Sequence, residues 1–162
     1  MLKLKLTSSS YLVPKNKNWS NLSGSLKYEF SPYGNWHEEL LYDKSEILSI
    51  NLFLDDFLSS KNLKVTDTKE NIKNFLKLLK IRIKKQDNNI IIGYCSNNND
   101  NLIYSAKFIN EKKIICNWFM EEIYKLAKKN KNLFIIDFDK EFAFVGLNSC
   151  IDKRNWYFAH SY

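Results

Sequence analysis

Glycine and proline are scarce, four and two in 162 residues. That excludes collagen-like repeats and Gly- or Pro-rich linkers, and it leaves Asn as the main turn-former. The three cysteines, Cys95, Cys116 and Cys150, form no CxxC pair. Zinc-finger spacing is therefore absent, and isolated cysteines of this kind act as small hydrophobes in a reducing cytosol. A cytoplasmic protein is expected on that ground. No run approaches the 18 apolar residues of a membrane span. The start, MLKLKL, has alternating lysines where a signal peptide would have an apolar core. There is no P-loop, GxGxxG or HExxH pattern. The expectation is no catalytic set, no metal and no cofactor.

What is present suits a packed core. Hydrophobic residues make up 44% and aromatics 15%, which excludes a disordered chain and predicts one domain over 1–162. The net charge is +7, and its placement is uneven. Lys61 to Lys85 holds nine basic residues against Asp67 and Glu70, a net +7, so the rest of the chain is neutral. His37 to Asp56 holds six acidic residues against Lys44, a net −5. Segregated charge of this kind either pairs within the fold or steers a charged partner. Frequent Lys and Asn, both with AT-rich codons, also fit a compositional bias.

Hydrophobic periodicity predicts strands at Leu2–Thr7 and Ser25–Phe30. Glu46–Leu54 fits both periods. Leu48, Ile50, Leu52 and Leu54 alternate as in a strand, and Ile47, Ile50, Leu54, Phe57 and Leu58 fit a helical face. The preferred reading is a strand to about Leu54 and then a helical turn through Phe57. Ile72, Phe75, Leu76 and Leu79 mark one face of a helix starting near Asp67 or Thr68. From Lys80 to Lys84 the period changes to two, which reads as a strand entering a hairpin at Gln86–Asn89. Strands at Asn89–Cys95 and Leu102–Ile109 complete a meander. A second helix is predicted over Lys112–Lys128. A hairpin of Leu133–Phe138 and Glu141–Leu147 and a last strand over Asn155–Tyr162 follow. Sequential strands pair locally, so the expected fold is α+β: mainly antiparallel sheet, with two principal helices packed on one side.

Four constellations invite chemistry. His37 and His160 have the residue types for shared acid–base cleavage of RNA, the basis of a third reading, a small nuclease. Cys150, Asp152 and His160 have the residue types of a nucleophilic triad, without a Gly-bounded elbow. Asp100, Glu111 and Lys113 follow the order of the Asp…Glu-x-Lys signature of restriction-type nucleases, but outside the apolar strand that signature needs. Asp137 and Asp139 flank Phe138 and are placed on one side of a strand end, where paired carboxylates can bind a metal.

Binding is the leading expectation. Lys69, Lys73, Lys77 and Lys80 form a stripe opposite the apolar helix face, which can track phosphates and equally fits the ordinary solvent face of an amphipathic helix. Trp36-His37-Glu38-Glu39, followed by an acidic and apolar segment, resembles bacterial toxin-immunity proteins, the small cytosolic inhibitors of contact-dependent or polymorphic toxins. That resemblance implies tight inhibitory binding to a cognate toxin domain, with no membrane partner. The expected interface is Tyr33, Trp36, His37, Glu38, Glu39 and Asp43 together with Lys69, Lys73, Lys77 and Lys80. The alternative is a nucleic-acid-binding, phage-type regulatory protein using Lys69 to Lys84.

Overall fold

The computed structural model describes residues 2–8, 26–32, 34–53, 57, 65–95 and 106–145. Five strands and four helices alternate: β1 (Leu2–Ser8), β2 (Leu26–Phe30), α1 (Trp36–Tyr42), β3 (Ile47–Phe53), α2 (Val65–Lys85), β4 (Asn89–Cys95), α3 (Ala106–Lys129), β5 (Leu133–Asp137) and α4 (Phe138–Val145). The strands form one sheet in the order β2-β1-β3-β4-β5, and every pairing is parallel. The fold is therefore α/β, and the antiparallel α+β expectation is overturned.

Three segments explain the difference. Lys80–Lys84 continues α2 and is not a strand: Leu79 and Arg82 are buried, while Ile81 and Ile83 are half-buried. The alternation of Lys and Ile is the edge of a helix stripe. α3 begins at Ala106, so the C-terminal half of the expected Leu102–Ile109 strand is helical. Glu141–Val145 lies in α4, in place of the hairpin's second strand. Residues 102–105 and 146–147 lie outside the described residues. Successive described strands are all joined in parallel, which requires crossovers between them. The expected strand at Asn155–Tyr162 lies outside the described residues.

The connections β2-α1-β3, β3-α2-β4 and β4-α3-β5 all travel in one direction across the sheet. Right-handed crossovers then stack α1, α2 and α3 on a single face. The core confirms the placement. Leu48, Ile50 and Leu52 of β3 and Ile90, Ile92 and Tyr94 of β4 are buried with Ile72, Phe75 and Leu79 of α2 and Ile115, Phe119 and Ile123 of α3. At its centre, Phe75 lies 5.2 Å from Trp36 of α1, 6.0 Å from Phe57 and 6.1 Å from Phe119, centroid to centroid. Tilted and edge-on rings at these spacings suit aromatic quadrupoles.

Alternation sends the intervening residues to the other face. Ile47, Ser49, Asn51, Ile91 and Gly93 lie there, in register across β3 and β4. α4 packs against β4, with Phe138 over Gly93. On the edge strand β5, Phe134 and Ile136 remain exposed. Among the described residues no helix is long and apolar enough to cross a membrane.

Candidate binding surface and the carboxyl edge of the sheet

Most of the acidic groups expected at an interface are engaged inside the fold. Asp43 follows α1 at the amino end of the sheet. Its carboxylate accepts from the Ser45 backbone N–H at 3.1 Å and from Arg82 Nη2 at 3.3 Å, and Arg82 Nη1 donates to the Asp43 carbonyl. The Arg82 side chain is 1% exposed and that of Asp43 8%. Burial depresses the Arg82 pKa, and the Asp43 charge and hydrogen bond work against that loss. This ion pair fastens the C-terminal turns of α2 to the start of β3.

Glu39 of α1 faces β1. It lies 3.6 Å from Lys5 Nζ and accepts a hydrogen bond from the Ser31 hydroxyl. Lys5 also bonds Glu29 at 2.8 Å. Burial opposes the charge of Lys5, yet the Glu29 bond and the nearby carboxylates outweigh it and hold the pKa above the ordinary lysine value. Trp36 belongs to the aromatic core, with His37 exposed behind it, edge-on at 5.5 Å. Glu38 is exposed. Tyr33 lies outside the described residues. Asp43, Glu39 and Trp36 are thus engaged within the fold, while His37 and Glu38 are left at the surface.

The expected lysines all lie on α2. Lys73, Lys77 and Lys80 are exposed on α2, and Lys69 at its upstream end is half-buried. Lys84, not among the expected interface residues, extends the row. At about 100° per residue, Lys73, Lys77, Lys80 and Lys84 fall within roughly 60° of the helix circumference and span about 16 Å of its length. Ion pairs among the described residues involve none of these four. The apolar residues beneath them fix the direction of the row, because Ile72, Phe75, Leu76 and Leu79 must face the sheet.

Open α/β sheets carry ligands at the carboxyl ends of strands, near the point where the strand order reverses. Here the chain leaves β1 toward β2 on one side and returns to β3 on the other, so that point lies between β1 and β3. Ser8 and Asn51 are in register there. Asn51 reaches across to Gly93: a Cβ at position 93 would lie 2.5 Å from Asn51 Oδ1 and closer still to the Phe138 ring. Thr7, buried in register with Ile50 on the helical face, has a hydroxyl with no partner among the described residues.

The two carboxylates after β5 diverge. Tyr94, on the helix-covered face, donates its hydroxyl to Asp137. Lys140 approaches Asp137 with its backbone N–H and with Nζ, both at 3.3 Å. Burial raises the Tyr94 pKa most, and Asp137 adds to it, so the hydroxyl stays protonated and donating. Burial opposes ionisation of Asp137, but Tyr94 and Lys140 prevail and keep its carboxyl below the ordinary value. Asp139 instead accepts from Cys95 Sγ at 3.2 Å. Tyr94 and Cys95 alternate to opposite faces of β4, so the expected one-sided carboxylate pair is corrected. Among the described residues no group of three His, Cys, Asp or Glu side chains is placed to hold a metal. Cys150, Asp152 and His160 lie outside the described residues, as does Asp100. Glu111 and Lys113 sit in α3, away from any apolar strand.

Sequence reasoning did not single out Asn51, Tyr94 or Cys95. Gly93 carried a signal, since a glycine near the end of an apolar strand marks a close approach.

No protein-family model and no curated protein matches the chain. Among solved structures, it is similar to the N-terminal part of the protein BF1531 from Bacteroides fragilis, described as containing a phosphatase domain and complexed with Mg. The TM-score is 0.71 at 12% identity, and the match covers 98% of this chain. It covers 46% of that one, so this chain spans less than half of its solved neighbour. A shared fold follows from the likeness. With the all-parallel sheet, it overturns the description of the chain as an antiparallel α+β fold.

Proposed function

We propose that this chain is a protein-binding α/β domain that acts by docking on a second protein domain, and that the second domain carries the chemistry. One observation supports this above others. The polar groups at the carboxyl edge are engaged with each other on opposite faces of the sheet, while α2 presents a row of lysines with no ion-pair partner among the described residues. Catalysis by paired carboxylates needs them to converge on one reacting centre. The solved neighbour joins this fold to more than as much chain again, in a protein with a phosphatase domain and magnesium.

The test is turnover of para-nitrophenyl phosphate by the purified chain with magnesium. The expected rate equals the buffer blank, and Asp137→Asn and Asp139→Asn leave it there. Magnesium-dependent turnover that disappears in either variant would overturn the reading and make the carboxyl edge an active site.

A further inference from the structure

We infer that the exposed face of α2 is the docking surface, and that it takes an acidic surface of the partner protein. This rests on the protein-binding reading above and names its contact.

Three features favour an acidic protein over nucleic acid. First, the row is made of lysines only. Arginine is the residue suited to bidentate phosphate and base contacts, and the only arginine of α2, Arg82, is buried against Asp43. Second, no aromatic residue among the described residues lies on the exposed arc: its exposed neighbours are Glu70 and Asn74, which offer no base-stacking platform. Third, α2 contacts α1 on one side and α3 on the other. A helix held in the middle of a layer cannot enter a major groove as a free recognition helix does. It offers a shallow, positively charged ridge, which suits carboxylates spread over a protein surface.

The face is also ready to bind. α2 is anchored by Phe75 and Leu79 in the core and by the Arg82–Asp43 pair, so the lysine backbone positions are fixed before contact. Only side-chain freedom is lost on docking.

The experiment uses the full chain and fluorescence anisotropy with labelled poly-L-glutamate, mixed-sequence duplex DNA and single-stranded RNA. It compares two triple variants that lower the formal charge equally. One carries Lys73→Glu, Lys77→Glu and Lys80→Glu. The other carries Lys113→Glu, Lys128→Glu and Lys131→Glu, exposed positions on α3 and the turn after it. The expected result is a loss on the order of tenfold or more in poly-L-glutamate affinity for the α2 variant, because like charges would then oppose each other. The control variant should lose about threefold or less, as exposed charges beyond a Debye length are screened. Equal losses would mean that only net charge matters and would overturn the assignment. Submicromolar DNA or RNA binding lost in the α2 variant would make nucleic acid the occupant and would also overturn it. Circular dichroism checks folding, and a Gln triple at the same three lysines serves if the Glu variant does not fold. Magnesium-dependent phosphatase turnover would sink the protein-binding reading instead, so the two failures are distinguishable.

Discussion

Asp43→Ala should lower unfolding stability by about 3–5 kcal/mol, because it strands the buried Arg82 guanidinium without its counter-charge. At roughly 2–4 °C per kcal/mol for a chain of this size, the melting midpoint should fall by about 6–20 °C. Two features place the loss at the high end for a single ion pair. Both side chains are below one-tenth exposed, so water cannot replace the lost partner. Asp43 also gathers the Ser45 N–H, and Asn88 Nδ2 in turn donates to the Ser45 carbonyl at 2.5 Å, so the change loosens the starts of β3 and β4 together. The double variant Asp43→Leu, Arg82→Met should recover much of the loss, since an apolar pair of similar volume leaves no charge buried. Thermal melts of the three proteins measure this. A midpoint for Asp43→Ala within a degree of wild type would show that the pair is not what anchors α2.

Gly93→Ala should destabilise by about 1–3 kcal/mol through overpacking. The added methyl meets Asn51 Oδ1 at 2.5 Å and the Phe138 ring closer still. Both neighbours are side chains, so the structure yields by moving them. Phe138 heads α4, and shifting it lifts that helix from β4. Hydrogen exchange should therefore speed up in α4 more than in α2. Pairing Gly93→Ala with Phe138→Leu should restore part of the stability, whereas uniform acceleration across both helices would place the damage in the whole core instead.

The difference between what the sequence declares and what it conceals has physical causes. The stripe Ile72, Phe75, Leu76, Leu79 identified α2, because only a 3.6-residue period puts those four on one side. The strands β1, β3, β4 and β5 were each legible as apolar runs. Their direction was not. Ile90, Ile91 and Ile92 are apolar on both faces, a mark of a sheet that is not half-solvated, and a parallel sheet reads this way. The competing signal was Lys80-Ile81-Arg82-Ile83-Lys84, whose alternation holds only if Arg82 points to water. Arg82 points inward because Asp43, distant in sequence, receives it. A tertiary ion pair decided the secondary structure, and local pattern could not register it. α1 escaped notice for a simpler reason: at seven residues it has too few turns to display a period, and its inner residues are chiefly Trp36 and Leu40.

The same cause divides the candidate surface. Lysines directly opposite a strong apolar stripe face outward, so Lys73, Lys77 and Lys80 are readable as a face. Glu39 on α1 and Asp43 just after it lie beside α2 and over β1, where Lys5 and Ser31 meet the first and Arg82 the second. Charge counting sees the −5 but not those partners.

The central claim is that α2 meets a partner protein through its lysines, and amine-labelling footprinting tests it most directly. The chain would be acetylated alone and again in complex with a protein co-purified from its native cell, and lysine reactivity would be read by mass spectrometry. The predicted result is that Lys73, Lys77, Lys80 and Lys84 lose reactivity in the complex, while Lys113, Lys128 and Lys131 keep theirs. A stable complex in which the α2 lysines label as fast as in the free chain would contradict it.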